Sequence, residues 1–405
     1  MDKFPNVLNK LVKISLVFFF VLIVISNLKV TSNNHYYLLA QSFLQGKLYF
    51  VELPGVLWDT VEYGGHYYWP NPPFPAVLMM PFVWIFGLFS QVYYQGYLNL
   101  VVVGLLFLVL KRIFKDKGAK EDVAFWAYAF LVCTPFLGMA MLPWSWFLAH
   151  TITVFLIFLS YLLYKRGVPL SVIGLIFGLI ALTRFTGAIG LMFFVLSVIS
   201  KNWLDKKDPK RMAKELFALL WPFILCLLLM FAYNYARYDT WKELGYIQNK
   251  LWPWHQEARN MGVFSLRHLP GNLYYLFLKS PDPVFIEGSL SHVLASPYIK
   301  ASTWGMGIFF TSPFLLLLFT YTYKKRESLL LLLTSLLISI PILLYFGVGW
   351  VQFGYKYSLD FLPFIYILFV SEYTAKNNKL SDRMKILMLV VSFTNLYFII
   401  NMFSG

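Results

Sequence analysis

A chain of 405 residues that is 59% hydrophobic, 20% aromatic and only 13% charged is far more apolar than a water-soluble domain of this size, which excludes an ordinary soluble enzyme. The formal charge of +15 does not argue for nucleic acid, because Lys and Arg gather in the cytoplasmic loops of membrane proteins. Cys133 and Cys226 both lie within hydrophobic runs, so they read as helix-packing residues, with no disulfide framework and no metal spacing.

Lys3, Lys10 and Lys13 accompany the first apolar run, 11–30. No small-x-small cleavage pattern follows it, so it reads as an uncleaved first span. At about 20 apolar residues per crossing, the candidate spans are 12–30, 94–113, 122–140, 146–164, 168–183, 186–200, 215–236, 302–323, 328–346, 359–375 and 384–402. They predict an all-α polytopic membrane protein with about 11 transmembrane helices, organised as one integral membrane domain over 1–405. The apolar stretch 74–90 is left out of the count. It follows Pro72 and Pro73 and is interrupted by Pro75 and Pro81, which suits an interfacial or re-entrant helix within a first outer loop spanning 31–93.

The charge distribution gives the orientation. With the N-terminus cytoplasmic, the inner loops hold 23 of the 34 Lys and Arg residues, including the run from Lys111 to Lys120, and 11 remain for the longer outer loops. Counting 74–90 as a crossing would put the 111–120 run outside and invert every later loop. The expected location is a multi-pass plasma-membrane protein with its C-terminus outside.

Polar chemistry is concentrated on the outer side. The loop 31–75 carries His35, Asp59, Glu62, His66, Tyr67 and Tyr68, and its Gly64-Gly65 pair signals a turn. A bend at LTRFTGAIG, 182–190, places Arg184 at the outer membrane level, where a cation is costly unless paired, wet or snorkelling. A second large outer loop, 237–301, begins with Arg237 and includes Tyr246, His255 and Arg259. A third segment, 347–363, holds Tyr355, Lys356 and Asp360; the last two, four residues apart, are a candidate ion pair. There is no Walker A loop, no GxGxxG opening a helix, no HExxH and no CxxC.

Five segments together resemble the GT-C glycosyltransferases that use polyprenyl-phosphate-linked sugars, in particular the family 39-like (protein mannosyltransferase-like) members. They are HYYLLAQSFLQGKLYF, DTVEYGGHYYWPNPPFPAVLMMPF, GLIALTRFTG, NYARYDTWKELGY and WVQFGYKYSLDFLPF. The resemblance implies a sugar transferred with inversion from a polyprenyl-phosphate donor to an acceptor on the outer face. It also implies an acidic base in the first outer loop, commonly directly after the first span. Here Asn33, Asn34 and His35 stand at that place, which moves the role to Asp59 or Glu62. Some relatives use a divalent metal and others do not; His35, His66 and Asp59 are ligand types but match no fixed spacing, so no metal site is assigned.

The chemistry asks for the same groups. Transfer to a hydroxyl needs a carboxylate to take its proton, and the departing lipid phosphate needs fixed cations. Arg184 and Lys356 are the best placed, with Arg237 behind them, and His35, His66, Tyr67, Tyr68 and Tyr355 are candidate substrate contacts. Membrane lipids and a lipid-linked sugar are the expected partners, the acceptor is unspecified and no nucleic acid is expected. A transporter or flippase of lipid-linked saccharide is the rival reading, and it predicts repeated halves around a midplane site, of which the sequence has none. A non-catalytic lipid-linked-sugar binding protein is a third.

Overall fold

The computed structural model describes residues 3–117, 122–204, 208–242, 245–288, 291–377 and 379–402. Lys120, Lys206, Lys207 and Gly405, used in the topology argument, lie outside the described residues. The helices are α1 (Lys3–Asn27), α2 (His35–Leu44), α3 (Phe74–Leu88), α4 (Gln95–Asp116), α5 (Val123–Val132), α6 (Phe136–Met141), α7 (Ser145–Lys165), α8 (Leu170–Ala181) and α9 (Phe185–Ala188). They continue as α10 (Leu191–Leu204), α11 (Pro209–Tyr238), α12 (Gly245–Gln248), α13 (Pro253–Asn260), α14 (Leu269–Leu273), α15 (Ile308–Thr311), α16 (Arg326–Leu344), α17 (Leu362–Lys376) and α18 (Asp382–Met402). Two small hairpins, β1 (Val61–Tyr63) with β2 (His66–Tyr68) and β3 (Asp282–Phe285) with β4 (Leu294–Lys300), are the strands among the described residues.

The fold is all-α and polytopic, because helices satisfy their own backbone groups where lipid offers no partners. Among the described residues seven helices are long and apolar enough to cross a membrane: Val7–Asn27, α4, α7, Phe185–Trp203, α11, α16 and α18. The four other expected spans are shorter or broken. The 122–140 run divides into α5 and α6 around Pro135, 168–183 becomes the 12-residue α8, and 359–375 becomes the 15-residue α17. The 302–323 run divides at Pro313 into α15 and a 3₁₀ stretch. The 20-residue expectation assumes a helix facing lipid. These segments are largely walled in by other helices, with Phe125 to Val132 and Tyr366 to Val370 buried, so they need not match the bilayer.

Close packing decides one pairing. A Cβ on Gly174 would sit 1.9 Å from the Leu219 carbonyl oxygen, and one on Gly178 would sit 2.5 Å from Cys226 Sγ, so glycine lets α8 lie against α11 backbone to backbone. α3 is 15 residues, about 22 Å at 1.5 Å per residue, too short for the hydrocarbon thickness. It exposes Val77, Phe82, Trp84 and Ile85 while burying Ala76, Met79 and Val83.

Backbone and side-chain bonds draw the polar loops together. The Gln95 side chain, at the start of α4, accepts from the Tyr36 amide (3.0 Å) and donates to the Pro143 carbonyl (2.9 Å). The Phe74 amide donates to Leu182 O (2.9 Å), tying α3 to the bend before Arg184. The Asp59 amide donates to Lys250 O and the Lys250 amide to Thr60 O, both 2.7 Å, joining the first and second loops. At the other end of α4, Glu327 accepts from Lys117 (3.3 Å), Lys165 (2.7 Å) and Tyr161, so the basic ends of α4 and α7 meet the start of α16.

Candidate functional site

Asp59 follows Trp58 in a loop just before β1 and takes φ +64°, a left-handed conformation that Asp tolerates better than most residues. The turn after it is set by Gly64 (φ +57°) and Gly65 (φ +77°), the two-residue connection in which both central residues need positive φ. This pairs Val61 with Tyr68, Glu62 with Tyr67 and Tyr63 with His66. The hairpin swings Glu62 away from Asp59: Glu62 is exposed and accepts from Tyr67 Oη at 3.0 Å. His66 is also exposed, stacked on Tyr49 at 3.8 Å, and Tyr68 packs edge-on to Tyr238 at 5.3 Å. Glu62 and Tyr67 are thus paired with each other and His66 with Tyr49, and among the described residues none of the three has a contact with Asp59, which sequence proximity had grouped with them.

Lys356 opens a buried 3₁₀ turn, Lys356–Asp360, ahead of α17. Asp360 does not pair with it. Its carboxylate instead takes two bonds from Arg184, Nε to Oδ1 and Nη2 to Oδ2, each 2.9 Å, and a third from Thr186 Oγ1. His150 Nδ1 lies 3.7 Å from Asp360 Oδ1. Both cations lie near the ring of Tyr357, with Lys356 Nζ 5.6 Å and Arg184 Cζ 5.8 Å from its centroid. Tyr345 packs edge-on to Tyr357 at 6.0 Å.

Asp59 faces this cluster. Burial raises its carboxyl to about 6, with the Lys356 ammonium and the Trp146 indole drawing it back down. Burial lowers Lys356 to about 8, while the Asp59 carboxylate pulls it up and the Arg184 charge pushes it further down. Each group thus senses the other, and both are brought toward neutrality. Among the described residues Lys356 Nζ forms no ion pair; it rests over the Tyr357 ring and over Phe147 at 5.7 Å. Arg184 keeps Nη1 outside its pair with Asp360.

The remaining sequence candidates form the walls. His35 is buried, stacked on Trp69 at 4.2 Å and edge-on to Trp146 at 5.2 Å, and burial lowers it to about 4 despite its 3.2 Å bond to Val56 O. Tyr355 is buried and donates to Asn272 Oδ1 at 2.9 Å. Arg237 is spent on structure: it is 2% exposed, donates to Trp69 O (2.7 Å) and Asn234 Oδ1 (2.6 Å), and lies 4.0 Å from the Tyr233 centroid. Its Nε finds no partner among the described residues. Trp146, His150, Tyr345 and Tyr357 were not singled out from the sequence; their residue types in helix ends carry no local signal. Among the described residues no group of three or more His, Cys, Asp or Glu side chains could hold a metal ion, and His35 and His66 lie apart on a buried helix and an exposed hairpin.

An apolar cavity of about 320 Å³ lies between the end of α2 (Phe43, Lys47), α3 (Val77, Met80) and α11 (Tyr233). Its wall is shared with the Arg237 clamp, since Arg237 stacks on the same Tyr233.

No protein-family model matches the chain, and no curated protein matches it. Among solved structures it is similar to ArnT from Cupriavidus metallidurans, crystallised bound to undecaprenyl phosphate, with a TM-score of 0.50 and 13% identity. The match covers 94% of this chain and 62% of ArnT, so the chain spans less than two thirds of that protein's length. That likeness is one of fold alone, and it is silent on the protein mannosyltransferase-like subfamily. By its helices and by this shared architecture, the chain is a polytopic membrane protein with an ArnT-like fold.

Proposed function

We propose that the protein is a glycosyltransferase that moves a sugar from a polyprenyl-phosphate carrier to an acceptor hydroxyl on the outer face of the membrane. The observation that carries the reading is a carboxylate that burial pushes up to about 6, Asp59, within electrostatic reach of the buried Lys356, which stands four residues before the Asp360 that pairs with Arg184. The fold shared with a protein crystallised with undecaprenyl phosphate supports a lipid phosphate as the partner.

In this mechanism Asp59, ionised above pH about 6, takes the proton of the acceptor hydroxyl. The freed oxygen attacks the anomeric carbon as the bond from that carbon to the phosphate oxygen breaks. The electron pair leaves with the polyprenyl phosphate, and its growing charge is met by Lys356 and by the Arg184 guanidinium that Asp360 holds in place. Attack opposite the leaving group inverts the anomeric centre. The apolar cavity between α2, α3 and α11 offers the isoprenoid chain a place beside the site.

The test uses the purified protein in lipid nanodiscs with a panel of labelled polyprenyl-phosphate sugars. Release of free sugar to water, or transfer to an added acceptor, is expected from the wild type and not from Asp59→Asn. A protein that neither binds nor turns over any polyprenyl-phosphate sugar would overturn the reading.

A further inference from the structure

The three outer loops also meet in a stack of indole rings that the transfer step does not use. Trp58, immediately before Asp59, lies face to face with Trp252, their centroids 4.2 Å apart and their planes at 25°. Trp252 continues the row to Trp254 at 5.1 Å and 12°. Trp350, from the segment that carries Lys356, closes the row edge-on, 5.9 Å from Trp252 and 5.3 Å from Trp254. Pro253 sets the spacing. As the first residue of α13 it leaves Trp252 extended (ψ 149°) at the cap while Trp254 enters the first turn, so two indoles one residue apart become parallel.

The row is fastened to the candidate site. The 2.7 Å backbone bonds between Asp59 and Lys250 and between Lys250 and Thr60 hold Trp58 and Trp252 on adjoining strands of chain. On the far side His255, next to Trp254, lies near enough to Lys356 to feel its charge. Trp254 is 39% exposed, and the other three indoles are partly buried. Tryptophans that only anchor a protein among lipid headgroups spread around its perimeter. Here they spend most of their faces on one another, and the result is a short row that begins beside Asp59 and is most open at Trp254.

We infer that this indole row binds a saccharide at its open end, and that the acceptor is therefore a glycan with one pyranose packed on the exposed part of Trp254 and its terminal hydroxyl reaching back along the row to Asp59. The second half of this inference rests on the glycosyltransferase reading. The physical reason is the amphipathic shape of a pyranose. Its axial C–H groups form an apolar, weakly positive face that packs on the negative face of an indole, while its equatorial hydroxyls point outward to polar groups. Polar groups accompany the row: Lys250 Nζ lies 5.8 Å from the Trp58 centroid, and the helix that carries Trp254 continues with Gln256 and the exposed Glu257 and Asn260. An acyl chain would meet these polar groups without satisfying them, whereas hydroxyls pair with both signs of charge.

The experiment measures binding of the solubilised full chain to an array of glucose-, mannose-, galactose- and N-acetylhexosamine-based oligosaccharides, read also by tryptophan fluorescence. Wild-type protein is expected to bind members of the array with a change in indole emission. Trp254→Ala should weaken that binding about tenfold, as loss of a stacked aromatic anchor does, and Trp254→Phe should recover part of it. Trp203→Ala, which removes an 80% exposed indole at the end of α10, should leave it unchanged. Absence of binding to every oligosaccharide, or binding indifferent to Trp254→Ala, overturns the row as a saccharide site. Hydrolysis of a polyprenyl-phosphate sugar without acceptor is followed in parallel. Donor turnover without glycan binding overturns the saccharide site alone, whereas glycan binding without any donor turnover upholds that site and overturns the transferase reading.

Discussion

Arg184 and Asp360, 176 residues apart, are joined by two parallel 2.9 Å hydrogen bonds, and the carboxylate they share is wholly buried. Removing the cation would leave that carboxylate with Thr186 and the nearby His150 but no charge partner. Arg184→Gln is therefore expected to destabilise the fold by about 3 to 5 kcal/mol, the usual cost of breaking a buried pair from one side. The double variant Arg184→Gln, Asp360→Asn should recover part of the loss, and Arg184→Lys should recover little, because an ammonium cannot reproduce the two-pronged contact. Thermal unfolding in detergent checks all three; an unchanged transition in Arg184→Gln would show that the pair does not hold the bend to α17.

Asp59→Asn keeps the shape of the side chain and removes its affinity for a proton. Turnover should fall by about 10²- to 10⁴-fold, the usual contribution of a general base, with donor binding nearly intact. Glu62→Gln, on the exposed face of the β1–β2 hairpin, should change turnover little. Wild-type rates from Asp59→Asn would remove this residue from the chemistry, and a large loss in Glu62→Gln alone would mean that the hairpin rearranges on binding.

Lys356→Gln tests the phosphate contact with less risk to the fold, since among the described residues Lys356 Nζ forms no close ion pair and senses Asp59 only at longer range. Loss of one charge-assisted bond should weaken polyprenyl-phosphate binding by about 1.5 to 3 kcal/mol. Calorimetric titration with a short-chain polyprenyl phosphate measures it, and equal affinities in variant and wild type would leave Lys356 without that role.

The Asp59 and Lys356 proton affinities set a pH window. The base works when unprotonated, so kcat/KM should rise as pH passes up through about 6; the phosphate ligand works when protonated, so kcat/KM should fall again above about 8. Lys356→Met removes the cation that draws the Asp59 carboxyl down, so the acidic limb should move to higher pH. A limb that stays in place in Lys356→Met would show that the two groups do not interact in the working protein.

Orientation is testable through the two ends of α4. Gln95 at its start is bonded to the first outer loop, and Lys117 just past its end belongs to the Glu327 junction. Lys117→Cys should react with membrane-impermeant reagents only after the membrane is opened, and a cysteine replacing Gly405 should react directly from outside. External labelling of Lys117→Cys would reverse the proposed topology and place Asp59 in the cytoplasm.

Runs of Leu, Val, Ile and Phe by themselves determined where the long helices α1, α4, α7, α11, α16 and α18 lie, because in lipid a long apolar segment has no alternative to satisfying its own backbone. Gly64-Gly65 likewise determined a turn, since glycine adopts positive φ at no steric cost. Residue chemistry and side of the membrane were enough to single out Asp59, Arg184 and Lys356, and not enough to say what each would touch. Only tertiary structure decided that Asp360 belongs to Arg184. The four-residue spacing from Lys356 suits an α-helix, but the segment forms a 3₁₀ turn, where neighbours on one face are three apart. It also decided that the β1–β2 hairpin leaves Glu62 exposed and bonded to Tyr67, and that α5, α8 and α17 stay short. α5 and α17, walled in by their neighbours, answer to packing, which depends on residues distant in the chain, and not to the thickness of the bilayer. The indole row belongs to the same class of facts: Trp58, Trp252, Trp254 and Trp350 come from three loops, and no local pattern in any one of them announces the other two.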